Sequence, residues 1–130
     1  MRRIDLITQA CDPKTLTVGQ LMQDALFTCT AQTDALTIGR LMTKQNFGGL
    51  PVVAEDSSLV GLVTEYDLLQ AMIEGRDLRK VFASEIMTTQ PLAARENMTL
   101  EEVANLFQDR YVTRLPVVRG KQLVGIVARR

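Results

Sequence analysis

The chain has 130 residues, 46% of them hydrophobic, and its 15 Lys and Arg residues balance 15 Asp and Glu residues. This length predicts one compact domain or two half-domains that share a core. A formal net charge of zero gives no electrostatic reason to expect nucleic acid or an anionic membrane as a partner. No apolar run approaches the roughly 20 residues of a membrane span, and the first residues lack the apolar stretch of a signal peptide.

Several residue types that carry chemistry are rare or absent. The chain contains no histidine, which removes Ser-His-Asp and Cys-His catalysis and the commonest metal ligand. The two cysteines, Cys11 and Cys29, have no metal-type spacing. They favour a reduced, cytoplasmic setting, with a disulfide between them as the lesser alternative. We therefore expect no catalytic residues and no metal site.

The first 16 residues have no counterpart elsewhere in the chain, and we expect them to form a short helix and a loop that packs on the rest. The elements that follow are predicted from apolar periodicity, capping residues and glycine stops. In chain order they are a helical turn over 17–22, a β-prone segment over 27–30, a helix from Thr33 to about Asn46, strands over 50–54 and 59–64, and a helix over 66–74.

The second half of the chain repeats this order after a linker over 76–83. Its predicted elements are a helical turn over 84–87, a short strand over 92–94, a helix over 99–110 and strands over 114–118 and 122–128. Glu102 is placed to complete a capping box with Thr99. No segment follows that matches the helix over 66–74, so the second copy is expected to lack its last helix.

Three apolar blocks occur twice, with offsets of 65, 65 and 64 residues. The pairs are Leu21-Met22 with Ile86-Met87, Leu50-Pro51-Val52-Val53 with Leu115-Pro116-Val117-Val118, and Leu59-Val60-Gly61-Leu62-Val63 with Leu123-Val124-Gly125-Ile126-Val127. A repeat of this length indicates two copies of one supersecondary unit that bury a shared face. We predict a mixed α+β fold of two β-α-β-β-α units, over 17–75 and 84–130, packed through their sheets. A cleft between such halves would suit a small ligand.

The segment from Gly61 to Asp67 is the strongest candidate for a ligand site. A strand ends at Thr64 and a helix begins at once, so free N–H groups favour an anion there, and Asp67 can accept hydrogen bonds from a sugar diol. The alternative is that Thr64 and Asp67 form a capping box that needs no ligand. In the second repeat Ala128 stands in place of Thr64, so the two halves are not equivalent.

Taken together, these blocks resemble the CBS-domain pair, also called a Bateman module. The resemblance covers about residues 17–130 and rests on the ordered double occurrence of the Leu/Ile-Met turn, the Leu-Pro-Val-Val strand and the Leu-Val-Gly-aliphatic-Val strand. It implies paired β-α-β-β-α units that commonly form dimers, sense AMP, ADP, ATP or S-adenosylmethionine, and regulate an attached or partner protein.

The resemblance also implies the site residues. The family's Gly-x-x-Thr/Ser-x-x-Asp motif falls on Gly61, Thr64 and Asp67, where Thr64 would meet phosphate and Asp67 the ribose. The other residues implied for this main site are Gly48, Leu62, Leu92 and Ala93. A second, degenerate site would use Thr28, Thr30, Thr113, Arg114 and Ile126.

The sequence thus predicts a regulatory module that binds an adenosine-type ligand without catalysis of its own and acts on an unknown effector protein. The alternative is a structural dimerisation module that binds no ligand. We expect a homodimer in either case, because two helical faces hold more apolar surface than one such chain is expected to cover. These faces are Ala35/Ile38/Met42 and Val103/Leu106/Phe107. The absent last helix is expected to expose further apolar surface on the second repeat.

Overall fold

The computed structural model describes residues 14–23, 27–45, 48–110 and 114–128. Most of the helix and loop predicted over 1–16 lies outside these residues. The elements are α1 (Val18–Leu21), α2 (Ala35–Gln45), β1 (Gly49–Val53), β2 (Leu59–Thr64), α3 (Glu65–Ile73), a 3₁₀ turn (Leu78–Lys80), α4 (Ala83–Ile86), β3 (Thr88–Thr89), β4 (Ala94–Arg95), α5 (Leu100–Arg110), β5 (Arg114–Arg119) and β6 (Gln122–Ala128). The predicted helices and main strands are present within one or two residues of their predicted bounds.

The chain forms two compact units whose bounds differ from those of the sequence repeats. One unit is 27–91, and the other combines 1–26 with 92–130. Each unit therefore contains the strands of one repeat and the helical turn of the other. The turn α1 belongs with the strands of the second repeat, and α4 belongs with those of the first.

The unit 27–91 is built on an antiparallel sheet in the order β1-β2-β3. Cys29 extends this sheet beyond β1, where its N–H donates to the carbonyl of Pro51 at 2.9 Å in a parallel bridge. One side of the sheet meets α2, whose inward residues are fully buried. The buried core comprises Cys29, Ala35, Ile38, Met42, Leu50, Val52, Val63, Leu68, Val81 and Ala83.

The second unit repeats this arrangement with its own strands. β4 runs parallel to β5, β5 is antiparallel to β6, and Gln23 pairs with Ile126 at the far edge. The positions of β4 and Gln23 correspond to those of Cys29 and β3 in the other unit. The buried core comprises Val18, Ala94, Val103, Phe107, Leu115, Val117 and Val127. Two small sheets with helices confirm the predicted α+β class.

Both helical turns are attached by the same backbone pairing. In the unit 27–91, Ala35 N donates to Val81 O at 2.7 Å and Ala83 N donates to Thr33 O at 2.8 Å. In the other unit, Leu100 N donates to Leu16 O at 2.7 Å and Val18 N donates to Met98 O at 2.8 Å. The start of each long helix is thereby tied to the segment that leads into a helical turn.

The repeated Leu/Ile-Met turns and the repeated strand glycines are contact partners. A Cβ placed on Gly61 would overlap Met87 Sδ, and one placed on Gly125 would overlap Met22 Sδ. Only glycine leaves room for the methionine side chain at these positions. Since the methionine of each half packs against the strand glycine of the other half, both motifs are needed in both halves.

The prediction that Thr33 caps α2 is wrong by one residue. Asp34 is the cap, because its carboxylate accepts from the N–H of Thr37 at 2.9 Å and from the Thr37 hydroxyl at 2.7 Å. These two bonds hold the pKa of Asp34 below its ordinary value, and the bond from the Thr37 hydroxyl has the larger effect. Thr33 Oγ1 instead accepts from Thr30 N at 3.0 Å. Threonine and aspartate both suit an N-cap, so adjacent candidates cannot be ranked by residue type alone.

The prediction that two helical faces are exposed and need a second copy to cover them is also wrong. Ala35, Ile38 and Met42 are 0–3% exposed, and Val103 and Phe107 are 1% and 7% exposed. Their own units therefore cover them. Among the described residues, the large apolar side chains that are exposed all lie in the unit 27–91, and they are Phe27, Tyr66, Leu69, Met72, Ile73 and Phe82. The described residues of the second repeat do not include the extra exposed apolar side chains that were expected there.

Within the described ranges, no helix is both long and apolar enough to cross a membrane.

The methionine–glycine contacts are testable by adding a methyl group. Gly61→Ala and Gly125→Ala should each lower the free energy of unfolding by about 1–3 kcal/mol, because overpacking forces the methionine and the nearby backbone to shift. The matched control is Gly49→Ala in β1, where the new Cβ would meet its nearest atom at 3.6 Å. We expect that control to lose less stability in urea unfolding than either of the two variants, because its added methyl group meets only ordinary van der Waals contacts. An equal loss in all three variants would contradict the methionine contact as the cause.

Candidate functional site

The junction between β2 and α3 brings the strongest candidate residues together. Thr64 ends β2 in an extended conformation, with φ −113° and ψ 167°, and serves as the N-cap of α3. Gly49 lies opposite Thr64 in the sheet register. The N–H of Glu65 donates to the carbonyl of Gly48 at 3.1 Å, so Gly48 contacts the junction directly.

Thr64 and Asp67 form the capping box that the sequence left as an alternative. Asp67 Oδ2 accepts from the Thr64 N–H at 2.8 Å and from the Thr64 hydroxyl at 3.0 Å. The Asp67 N–H donates back to Thr64 Oγ1 at 3.4 Å. Both side chains are half-buried, so the carboxylate is held in one orientation at the start of the helix.

This arrangement leaves part of the acceptor capacity of Asp67 open. Oδ1 accepts no hydrogen bond from the residues that the structure describes. An ionised carboxylate has about four acceptor positions, so a diol could bind to Oδ1 while Oδ2 keeps the cap. Two of the first N–H groups of α3, those of Glu65 and Asp67, already have protein acceptors. The helix start therefore offers less to an anion than the sequence alone indicated.

The remaining residues predicted for the main site fall into two groups. Leu62 lies two residues before Thr64 on β2, so both side chains are on the same face of the strand, and both are half-buried. Gly48 belongs to the same unit. Leu92 and Ala93 are half-buried residues of the other unit. They were predicted to lie in a strand, but they precede β4 instead.

The residues predicted for the second site are likewise divided between the units. Thr28 and Thr30 are exposed on either side of buried Cys29, and the Thr30 hydroxyl lies 3.3 Å from that of Thr33. Arg114 and Ile126 belong to the other unit, where Arg114 is paired with Ala128. Thr113 lies outside the described residues. No capping box like that of Thr64 can form at Ala128, since alanine has no hydroxyl.

A groove that the sequence analysis did not predict lies between α2 and α3. Its volume is about 790 Å³. It is lined by Leu36, Gly39, Arg40, Met42, Thr43, Lys44, Glu65, Leu68, Leu69, Met72 and Leu78. The sequence of α3 could have indicated this groove, because the helix carries apolar residues on more than one face. A helix that packs only against a core has a single apolar face.

The described residues contain no group of three or more Cys, Asp or Glu side chains that could hold a metal ion. Cys29 is a buried free thiol, and its burial raises its pKa from an ordinary 9.0 to about 11. Since the thiolate is the reactive form, the Cys29 thiol is expected to react slowly at neutral pH.

Two units with one strand order, each completed by the helical turn of the other repeat, define a tandem α+β module. The sequence model of the CBS domain matches residues 18–74 and 83–130. The chain therefore belongs to the CBS domain family, as the two apolar repeats predicted.

Known proteins similar to this chain fall in the same family. The CBS domain-containing protein YhcV of Bacillus subtilis is 39% identical over 89 residues, which cover 68% of this chain and 62% of YhcV. The crystal structure of CBSX2 in complex with AMP is 32% identical, with a TM-score of 0.77 and coverage of 88% of this chain and 90% of that one. The CBS domain pair of MJ0100 in complex with 5′-methylthioadenosine and S-adenosyl-L-methionine is 26% identical, with a TM-score of 0.79 and the same coverage.

The buried thiol leads to a prediction that separates Cys29 from Cys11. In a Cys11→Ser variant, Cys29 should react with a disulfide reagent at pH 8 far more slowly in the native state than in urea, because the folded state holds the protonated thiol. Because the folded state binds this proton more tightly than the unfolded state does, the protonated thiol also stabilises the fold. That stabilisation is fully present below pH 9.0 and is lost as the pH rises to about 11. A Cys29→Ser variant is the control. Equal reaction rates for native and unfolded protein would contradict the buried thiol.

Proposed function

We propose that this protein is a regulatory module that binds an adenosine-type ligand at the junction between β2 and α3. The observation that carries the proposal is the geometry of Asp67, whose carboxylate is oriented by the cap and keeps one oxygen open. Adenosine is the chemical group common to the AMP bound to CBSX2 and to both ligands of MJ0100. This common group supports an adenine nucleotide or S-adenosylmethionine as the regulatory ligand here.

In this proposal the residues of the junction divide the ligand between them. Asp67 Oδ1 accepts hydrogen bonds from the ribose hydroxyls, and Leu62 lies against the adenosine. The Thr64 hydroxyl turns away from Asp67 Oδ2 and donates its one hydrogen to the phosphate, while the Thr64 N–H keeps its bond to Oδ2. Gly48 allows the ligand to approach the backbone. Leu92 and Ala93 complete the list of contacts that the family resemblance implies, and their role stays a prediction.

The second set of residues is proposed to bind ligand weakly or not at all. Ala128 supplies no hydroxyl where the main site has Thr64. Arg114 could meet a phosphate there, together with Thr28, Thr30, Thr113 and Ile126, but no residue in this set provides the carboxylate for a ribose. One main site per chain follows from this difference between the repeats.

The module is proposed to act without catalysis and to pass on the bound state through a conformational change. A ligand can shift such an equilibrium only by binding one conformation more tightly than the other, and an effector protein that prefers that conformation would then respond. We further propose a homodimer in the cytoplasm.

One observation favours a different class of function, a dimerisation module without ligand. The capping box at Thr64 and Asp67 is complete without any bound molecule, so the motif has a structural role in either case. The two proposals differ in whether Asp67 Oδ1 ever receives a ligand hydroxyl.

Calorimetry with AMP, ADP, ATP and S-adenosylmethionine separates the two functions. At least one of these ligands should bind with a stoichiometry near one per chain. At 100 times its dissociation constant it should stabilise the fold by about 2.7 kcal/mol in a thermal shift experiment. Two equal sites would contradict the predicted difference between the repeats. No binding by any of the four would favour the dimerisation module.

The role of Asp67 is tested against a second capping box in the same chain. Glu102 Oε1 accepts from the N–H and the hydroxyl of Thr99, both at 3.1 Å, and it lies outside the proposed site. Asp67→Ala and Glu102→Ala should each cost about 1 kcal/mol of stability. Only Asp67→Ala should also weaken ligand binding, by roughly 1.5–3 kcal/mol.

Unfolding curves and ligand titrations of the two variants measure the two effects separately. Normal ligand affinity in a destabilised Asp67→Ala variant would leave the residue with a capping role only.

A further inference from the structure

The start of helix α3 has few hydrogen-bond donors left for an anionic ligand. The Thr64 N–H donates to Asp67 Oδ2, and the Asp67 N–H donates to Thr64 Oγ1. The N–H of Glu65 donates to the carbonyl of Gly48. From Thr64 to Asp67, only the N–H of Tyr66 has no acceptor among the residues that the structure describes. Together with the Thr64 hydroxyl, this N–H can hold one phosphate group, but no donor remains here for a second phosphate.

The same helical turn is negatively charged. Glu65 and Asp67 are the acidic residues in the first turn of α3. Arg40 and Lys44 line the α2–α3 groove together with Glu65. Within the described part of the chain, neither acidic residue forms an ion pair, so no direct contact neutralises their charge. Each phosphate added to a ligand brings more negative charge towards these carboxylates, and like charges brought together weaken binding.

Gly49 leaves the position opposite Thr64 without a side chain. The two residues are paired in the β1–β2 ladder, and residues paired in this way have their side chains on the same face of the sheet. A Cβ placed on Gly49 would lie 3.8 Å from Leu62 Cδ1, so the position belongs to the face that carries the proposed ligand residues. The nearest atom to this Cβ would be Val63 O at 3.6 Å, an ordinary van der Waals distance. Space for a side chain therefore begins here, but the chain places no cation in it.

The second repeat carries positive charge at the two corresponding positions. Arg114 lies opposite Ala128 in the β5–β6 ladder, at the position that Gly49 has in the first repeat. In the sequence, Arg129 stands where Glu65 stands in the first repeat. Arginine is the side chain best suited to hold phosphate groups, because its guanidinium donates two parallel charge-assisted hydrogen bonds. The first repeat has neither of these arginines.

We infer that the first repeat accepts adenosine ligands with at most one phosphate group, and that Gly49 and Glu65 set this limit. The inference rests on the proposed function and narrows its class of ligand. Gly49 offers no cation to a second phosphate, and the Glu65 carboxylate repels it. The ligands in this class carry an uncharged, cationic or singly phosphorylated 5′ group, as in 5′-methylthioadenosine, S-adenosylmethionine and AMP. ADP and ATP are outside it.

Titration calorimetry with 5′-methylthioadenosine, AMP and ATP in magnesium-free buffer tests this limit. Every chain in the series also carries Arg114→Gly, so that ATP bound by the arginine of the second repeat does not enter the result. In this background AMP should bind at least about tenfold more tightly than ATP, because the added phosphates meet like charges. Raising the salt concentration should reduce the difference, since salt screens exposed charges.

Two substitutions transfer the arginines of the second repeat into the first. Gly49→Arg and Glu65→Arg, each added alone, should tighten ATP binding by at least about tenfold, because an arginine–phosphate hydrogen bond is charge-assisted. Both should leave the binding of uncharged 5′-methylthioadenosine unchanged. Gly49→Gln adds a side chain without the charge, and Glu101→Arg makes the same charge change in the first turn of α5. These two control variants should bind ATP as weakly as the parent chain.

Circular dichroism shows which variants are folded. Glu65 is exposed, so Glu65→Arg keeps the test available if an arginine at buried Gly49 prevents folding. ATP that binds as tightly as AMP overturns the limit and leaves the ligand site standing. A ratio of the two affinities that no folded arginine variant changes does the same for the roles of Gly49 and Glu65. No binding by 5′-methylthioadenosine or AMP overturns the proposed ligand site, and the limit with it.

Discussion

In both compact units, a methionine side chain packs against a strand glycine, and the arrangement of the rest of the unit depends on this contact. Met87 lies over Gly61, and Met22 lies over Gly125. Because glycine has no side chain, the helical turn that carries the methionine comes close enough for its backbone to pair with the same strand. Gln23 pairs with Ile126, and Thr88 pairs with Leu62. Each sheet thus gains its edge from a turn that belongs, in sequence, to the other repeat.

The same strand carries the structural contact and the candidate ligand residues. Gly61 of the first repeat leaves room for Met87 of the second, and Gly125 of the second repeat leaves room for Met22 of the first. The glycine of the Gly-x-x-Thr-x-x-Asp motif therefore has a packing role that is independent of any ligand. In the second repeat Ala128 stands in place of Thr64, so this part of the motif differs between the two halves. A ligand preference for the first repeat would be based on Thr64 and not on the glycine.

The helical faces show a second difference between the repeats. In the unit 27–91, α3 covers α2 around Gly39, where an added Cβ would lie 3.6 Å from Leu68 Cδ1. This packing buries one side of α3 and leaves its other side apolar and exposed. In the other unit, α5 exposes Glu101, Asn105 and Gln108 to solvent, where water can hydrogen-bond to these polar side chains. The two repeats share a backbone plan but present different surfaces.

The repeat, the order of helices and strands, and the family could all be predicted from the residues alone. These follow from local patterns, because apolar residues at spacings of two or of three and four are sufficient to predict strands and helices. The capping box at Thr64 and Asp67 was also foreseeable, since both partners lie within one helical turn.

The sheet that each helical turn joins, and the helical faces that are buried, depend on contacts between distant parts of the chain. The bonds that attach α1 to the second repeat connect residues about 80 positions apart, such as Val18 with Met98, and no local pattern encodes that pairing. Periodicity placed Ala35, Ile38 and Met42 on one face of α2, but it cannot tell a core from a partner protein as the cover for that face. The same limit applies to α3, where the exposure of Leu69 and Ile73 became apparent only when Leu68 and Ala71 were seen to occupy the side that faces the core.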